Sequence, residues 1–184
     1  MADLVIRNAR IVDGSGGPSS EGDLAVGGDR ITAVGDVGPV AAGATEIDAA
    51  GRVLAPGFVD VHTHDDGAMV RHPDMAFKVA QGCTTVVLGN CGFSAAPADP
   101  GTEEFSGLLG GQPSWSDLDG YARAVTEAGP ALNAVALVGH NTIRHLVMGP
   151  AATGQERREP TAAELTAMAD HVALAMEQGA CGFS

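Results

Sequence analysis

The sequence predicts an α/β protein, the first half of a (β/α)8 TIM barrel preceded by a small β unit. Two observations carry the barrel. Apolar, β-branched runs at Val59-Asp60-Val61, Thr84-Thr85-Val86-Val87-Leu88 and Asn133-Ala134-Val135-Ala136-Leu137-Val138 alternate with helical stretches, the rhythm of a parallel sheet covered by helices. Polar side chains also fall at successive strand ends, His62, His64, Cys91 and His140. A closed barrel gathers such residues on one rim, where active sites of this architecture are built. An open doubly wound sheet satisfies the strand pattern equally, but the Gly-x-Gly-x-x-Gly turn of a dinucleotide fold is missing after the first of these strands. The third observation concerns the opening segment, where short alternating runs and Gly-rich turns give way at Pro56-Gly57 to strand, loop and helix. The expected division is 1–55 and 56–184.

Within 1–55, alternating runs at Leu4-Val5-Ile6, Arg10-Ile11-Val12, Asp23-Leu24-Ala25-Val26 and Arg30-Ile31-Thr32-Ala33-Val34 are separated by Asp13-Gly14-Ser15-Gly16-Gly17-Pro18 and Gly27-Gly28-Asp29. They predict an antiparallel β unit. A Gly/Ala-rich loop over 36–51 is expected to hold one more strand at Thr45-Glu46-Ile47-Asp48.

Beyond Pro56 the first strand ends at His64. A helix follows from about Pro73 to Gln81, closed by Gly82, and Val86-Val87-Leu88 forms the next strand. A Gly/Pro-rich loop is expected over Gly89–Pro113. Ser116-Asp117-Leu118-Asp119 starts a helix that runs through Tyr121, Ala124 and Val125 to a stop at Gly129-Pro130. The third strand is Asn133–Val138, ending at Gly139-His140. Thr161 with Glu164 makes a capping box for a helix whose core face is read as Leu165, Met168, Ala169, Val172 and Met176, with Gly179 as its stop. A fourth strand opens at Ala180-Cys181-Gly182-Phe183. Cys83 and Cys181 are read as core residues, and Trp115 as packing for the loop between strands two and three.

The chemistry concentrates in Val59-Asp60-Val61-His62-Thr63-His64-Asp65-Asp66. Side chains alternate along a strand, so His62 and His64 leave one face and Thr63 the other. Two readings stand for such a pair: a polar strand end whose rings meet solvent, or two nitrogen ligands aimed at one cation, for which zinc is the natural choice. Cys91, between Gly89 and Gly92 just past the second strand, tilts the balance towards the metal. A lone cysteine is ordinarily a small buried hydrophobe, but this one sits at the same strand end as the imidazoles. Asp65 and Asp66 are candidates to orient the histidines, as metal-bound imidazoles require, or one of them simply faces water. His140 either orients substrate or a ligand or is satisfied by loop backbone. Arg144 either meets an anionic substrate group or is a solvated arginine. His72, His145 and His171 read as surface or structural residues.

Composition excludes several classes. The 184 residues are 45% hydrophobic and 18% charged, with a formal net charge of −13. That is a globular composition without the basic face that nucleic acid or an anionic membrane surface requires. A small-molecule partner is expected. The opening Met1–Asn8 has no cationic leader or apolar core of a signal peptide, and no run is long enough to span a bilayer. Three cysteines, an odd count without scaffold spacing, fit a reducing compartment, and a cytoplasmic location is expected.

Leu4-Val5-Ile6-Arg7-Asn8-Ala9, Pro56-Gly57-Phe58-Val59-Asp60-Val61-His62-Thr63-His64-Asp65-Asp66, Gly89-Asn90-Cys91-Gly92-Phe93-Ser94, Leu137-Val138-Gly139-His140 and Gly179-Ala180-Cys181-Gly182-Phe183-Ser184 together resemble the amidohydrolase superfamily, and within it the D-aminoacylases, or N-acyl-D-amino-acid deacylases. The His-x-His strand marks the superfamily. Gly-Asn-Cys-Gly is the more specific sign, because most relatives use a carboxylated lysine or a glutamate where these enzymes have cysteine. The resemblance implies a small β-sandwich segment beside the barrel, with His62, His64 and Cys91 ligating one or two zinc ions. It also implies zinc-dependent hydrolysis of N-acyl-D-amino acids to a carboxylate and a D-amino acid.

The remaining ligands and a general-base aspartate are expected beyond residue 184. The part after Pro56 is about half of the roughly 250 residues of a barrel, so Ser184 is expected to be a truncation point and the fragment alone inactive. The alternatives are an amidohydrolase acting on cyclic amides or imides, like a dihydropyrimidinase or dihydroorotase, and a non-catalytic scaffold.

Overall fold

The computed structural model describes residues 2–40, 42–99, 113–152 and 154–184. The chain divides into two compact units, Met1–Pro56 and Gly57–Ser184.

The first unit is a five-stranded sheet. Strand β1 (Leu4–Ile11) pairs antiparallel with β2 (Ser20–Gly27), which pairs antiparallel with β3 (Arg30–Gly35). The two runs expected at Leu4–Ile6 and Arg10–Val12 are one strand. Their polar interruption is a bulge: the pairing register shifts between Ile6 and Ala9, and Asn8 takes a left-handed backbone, φ 55°. The Asn8 amide N–H donates to Asp23 Oδ1 and its side chain to Asp48 Oδ1, which holds that conformation. Strands β4 (Thr45–Asp48) and β5 (Val53–Leu54) both pair with β1 in parallel. The unit is therefore mixed rather than antiparallel, because β4 lies on the side of β1 away from β2 and runs in the same sense as β1. Val5, Ala9, Ile11 and Ala25 are buried, whereas Ile31, Val34, Ile47 and Val53 are exposed.

The second unit is a parallel sheet in the order β6 (Phe58–Asp60), β7 (Cys83–Leu88), β8 (Asn133–Val138) and β9 (Gly182–Phe183). Sequential parallel order with crossover segments is the half-barrel arrangement that the apolar strands predict. Its core contains Val86, Leu88 and Val138 from the strands with Met69, Met75 and Ile143 from the covering segments. Each fully buried aliphatic side chain of this kind contributes about 1.5–3 kcal/mol.

The crossovers differ from expectation in instructive ways. A short helix that was not expected, α1 (Ala68–Arg71), comes first, and the helix expected over Pro73–Gln81 is confined to α2 (Ala76–Val79). Met75, fully buried and left-handed at φ 42°, separates them. Helix α3 (Leu118–Ala128) has the expected ends: Asp117 accepts from the Gly120 amide, and Gly129 closes it at φ 65°. Helix α4 (His140–Met148) begins where only a strand end was foreseen. Helix α5 (Ala162–Glu177) starts with the Thr161/Glu164 capping box. Its buried residues are Met168 and Ala175, however, while Leu165, Ala169 and Met176 are exposed. The helix is apolar on more than one face, so periodicity did not select which face packs.

Cys181 is exposed rather than core, since it precedes the two-residue edge strand β9; Cys83 is half-buried. Of the expected Gly89–Pro113 loop, Asn90–Gly92 forms a 3-10 turn and 100–112 lies outside the described residues. Trp115 packs as expected, tilted against Tyr121 with ring centroids 5.2 Å apart and its indole N–H donating to the Ala95 carbonyl. Among the described residues no helix is long and apolar enough to cross a membrane.

Candidate metal centre

β6 ends at Asp60, short of the expected strand end at His64, and the chain bends at His62 and carries no regular secondary structure through His64. Thr63 is buried, and both its amide and its hydroxyl donate to the Val87 carbonyl at the end of β7, at 3.3 and 3.0 Å. With Thr63 turned inward, His62 and His64 emerge together on the exposed side. Their rings meet edge to face, with centroids 5.8 Å apart and planes at 71°.

The cysteine arrives on a tight left-handed turn. Gly89 (φ 78°), Cys91 (φ 57°) and Gly92 (φ 79°) all have positive φ. For Cys91 this conformation costs about 1–2 kcal/mol, because its Cβ crowds the backbone. Gly89 is required by proximity as well, since a Cβ there would meet the Leu137 carbonyl oxygen at 2.2 Å, while one on Gly92 would displace the Asn141 side chain, whose Nδ2 would lie at 2.6 Å. The turn is thus pressed against the end of β8.

Hydrogen bonds fix it there. Asn90 Nδ2 donates to Val87 O at 2.8 Å, Asn141 Nδ2 to Cys91 O at 3.2 Å, and the Gly92 amide to Ser184 Oγ at 3.1 Å. Ser184 Oγ in turn donates to Gly89 O.

The three donors converge. His62 Nε2 and Cys91 Sγ are 3.0 Å apart, and the ligand atoms of His62, His64 and Cys91 all lie within 4.8 Å of one another. Donors on a tetrahedral zinc stand about 3.5 Å apart, from bond lengths near 2.0–2.1 Å for nitrogen and 2.3 Å for sulfur. The 3.0 Å separation and the 4.8 Å limit bracket that value, so two imidazoles and a cysteine sulfur placed in this way suit zinc, and their exposure leaves room for a further ligand position.

The carboxylates beside the histidines do not hydrogen-bond the rings. Asp66, 1% exposed, accepts from the Ala95 amide at 3.1 Å and the Gly89 amide at 3.4 Å, so it ties the histidine segment to the cysteine turn. Burial pushes its carboxyl above the usual range against those two hydrogen bonds. The Tyr121 hydroxyl donates to the Asp66 carbonyl at 2.8 Å, and burial raises that phenol's pKa.

Asp65 lies 3.0 Å from the ammonium of Lys78; its Oδ2 is buried, and the contact is ionic without hydrogen-bond alignment. Lys78 also donates to Asp60 Oδ2 at 2.7 Å, while Asp60 Oδ1 accepts from the His62 amide at 3.3 Å. The Lys78 hydrogen bond holds the Asp60 carboxyl below its usual range, and Asp60 raises Lys78 in return. Sequence reasoning missed Asp60 and Lys78. A signal existed: Lys78 is the single lysine of a chain whose other nine cations are arginines.

His140 is exposed at the start of α4, its ring edge to face with Phe183 at 6.1 Å and its amide donating to Ser184 O. Arg144 is directed to backbone: Nε donates to Ala152 O and a terminal nitrogen to Arg158 O, which fastens the segment after α4. His145 is buried, His171 half-buried and His72 exposed.

Residues 45–184 match the model of the amidohydrolase family. The chain belongs to that family. It is 46% identical over 189 residues to N-acyl-D-aspartate deacylase of Alcaligenes xylosoxydans xylosoxydans, covering all of this chain and 36% of the relative. The crystal structure of N-acyl-D-glutamate deacylase from Bordetella bronchiseptica, complexed with zinc and a phosphonate that mimics the tetrahedral intermediate, superposes with a TM-score of 0.88 at 43% identity. It covers 99% of this chain and 38% of that one. A D-aminoacylase structure addressing its binuclear metal centre, with one-metal activation and second-metal attenuation, gives a TM-score of 0.88 at 41% identity, over all of this chain and 38% of that one. The chain therefore spans a little over a third of the length of the relatives it matches.

Proposed function

We propose that this chain supplies the first strands of a zinc-dependent hydrolase that cleaves the amide bond of N-acyl-D-amino acids, releasing a carboxylate and a D-amino acid. The observation that carries the reading is the convergence of the His62, His64 and Cys91 donors within 4.8 Å. The likeness to deacylases of N-acyl-D-aspartate and N-acyl-D-glutamate supports this substrate class over cyclic amides. A scaffold would have no use for the strained turn that presents Cys91.

In this reading His62, His64 and Cys91 hold one or two zinc ions. When bound, zinc supplies Lewis acidity towards water and the acyl carbonyl. The protein's part is positioning. Thr63 anchors the histidines on Val87, Asn90 and Asn141 fix the turn of Cys91, and Asp66 joins the two segments. The carboxylate that moves the proton from water to the departing amine comes from a strand outside these 184 residues. In this reading His140, exposed just past the end of β8, meets substrate.

Residues 56–184 form the first half of a (β/α)8 barrel, and 1–55 contribute to a small β-sandwich. The partner is an N-acylated amino acid, and the location is the cytoplasm, where the three free cysteines stay reduced.

The test is zinc analysis of the full-length protein, with hydrolysis of a panel of N-acetyl D- and L-amino acids, acidic and aliphatic. Bound zinc with turnover of D substrates supports the reading. A zinc-free protein, or one that hydrolyses only cyclic amides, contradicts it.

A further inference from the structure

We propose that Lys78 is a positioning residue for the metal centre: its ammonium bridges Asp60 and Asp65 and so clamps both ends of the segment that carries His62 and His64. This rests on the reading of those histidines as zinc ligands.

The segment needs such a device. β6 ends at Asp60, so the histidines lie beyond the ladder, and Thr63 to Val87 is their one backbone bond to the neighbouring strand among the described residues. Asp60 precedes His62 by two residues and Asp65 follows His64 directly. Lys78 reaches both, at 2.7 and 3.0 Å, with the three side chains only 19%, 32% and 18% exposed for Lys78, Asp60 and Asp65. The Asp60 carboxylate completes the device by accepting from the His62 amide with its other oxygen. Met75, buried and left-handed just ahead of α2, accepts from the Lys78 amide at 2.9 Å. A compact ammonium with three donors suits a site between two carboxylates better than a guanidinium fork does, in a chain that elsewhere uses arginine throughout.

Charge and position make opposite predictions here. Removing the ammonium leaves two carboxylates beside a divalent cation, so charge alone would tighten zinc binding. Loss of the clamp would loosen the ligands and weaken it.

The experiment measures zinc affinity of the full-length protein by chelator competition for the wild type, Lys78→Met and Lys78→Arg, with hydrogen exchange of the metal-free proteins. Lys78→Met is expected to bind zinc about 10-fold more weakly, the lower end of the range for losing a residue that supports a ligand. Lys78→Arg should fall between it and the wild type, and peptides spanning 60–66 should exchange faster in Lys78→Met while the rest of the protein keeps its protection. Equal or tighter zinc binding by Lys78→Met overturns the clamp. Global loss of protection also overturns it, assigning Lys78 to folding instead. A wild type that binds no zinc overturns the metal-site reading itself, which separates the two failures.

Discussion

His62 Nε2 stands 3.0 Å from Cys91 Sγ although the two residues are 29 positions apart and belong to different βα units. The contact exists because Gly89 and Gly92 let the turn after β7 lie against the end of β8, which aims a cysteine held at φ 57° towards the strand-end imidazoles. The metal chemistry and the backbone strain thus meet at one residue, and they can be separated.

Cys91→Gly should separate them. Glycine relieves about 1–2 kcal/mol of left-handed strain but adds about 0.5–1 kcal/mol of unfolded-state entropy. The metal-free variant should therefore match or slightly exceed wild-type stability while zinc binding and turnover are lost. Denaturant unfolding of the metal-free protein and metal analysis check the two halves.

Gly89→Ala should act oppositely. The added methyl would sit 2.2 Å from the Leu137 carbonyl oxygen, at a φ of +78°. The backbone must give way, at a cost on the order of 2–4 kcal/mol. Both the denaturation midpoint and the zinc affinity should fall. An unchanged midpoint would mean that the turn has slack.

Tyr121→Phe removes the hydroxyl that donates to the Asp66 carbonyl at 2.8 Å in a buried setting. Leaving that acceptor unsatisfied should destabilise the protein by about 1–3 kcal/mol, read from the unfolding free energy. Because the Asp66 carboxylate keeps its bonds to Gly89 and Ala95, zinc affinity should change little.

The acid limb of stability should carry a signature of the α5 capping box. Two hydrogen bonds from Arg158, followed by those from the Thr161 amide and hydroxyl, depress the Glu164 carboxyl from 4.5 to about 2. A carboxyl whose pKa is lower folded than unfolded stabilises the protein above the unfolded pKa and loses that contribution as pH falls through the folded one. The stability difference between wild type and Arg158→Met should be constant above pH 4.5 and shrink towards zero near pH 2. A difference independent of pH would remove this role from the pair.

Local signals made much of the fold legible. Asp117 and Gly129 announced α3, Thr161 and Glu164 announced α5, and β-branched runs announced β7 and β8. The spacing of His62 and His64 and the glycines around Cys91 pointed to the three side chains that the structure brings together. Features that depend on tertiary context were hidden. Helix α4 has no side-chain cap to announce it. The buried face of α5 is chosen by its neighbours from a helix apolar on several sides. Parallel pairing of β4 with β1 depends on the path of a loop. Asp65 and Asp66 are identical neighbours in the sequence, yet one reaches Lys78, 13 residues away, and the other the amides of Gly89 and Ala95 on either side of the cysteine turn.

Zinc K-edge X-ray absorption of the full-length protein addresses the thiolate directly. One sulfur at about 2.3 Å in an otherwise nitrogen and oxygen shell is expected, with the sulfur contribution gone in Cys91→Ser. A wild-type spectrum without sulfur would place Cys91 outside the coordination sphere and contradict the site.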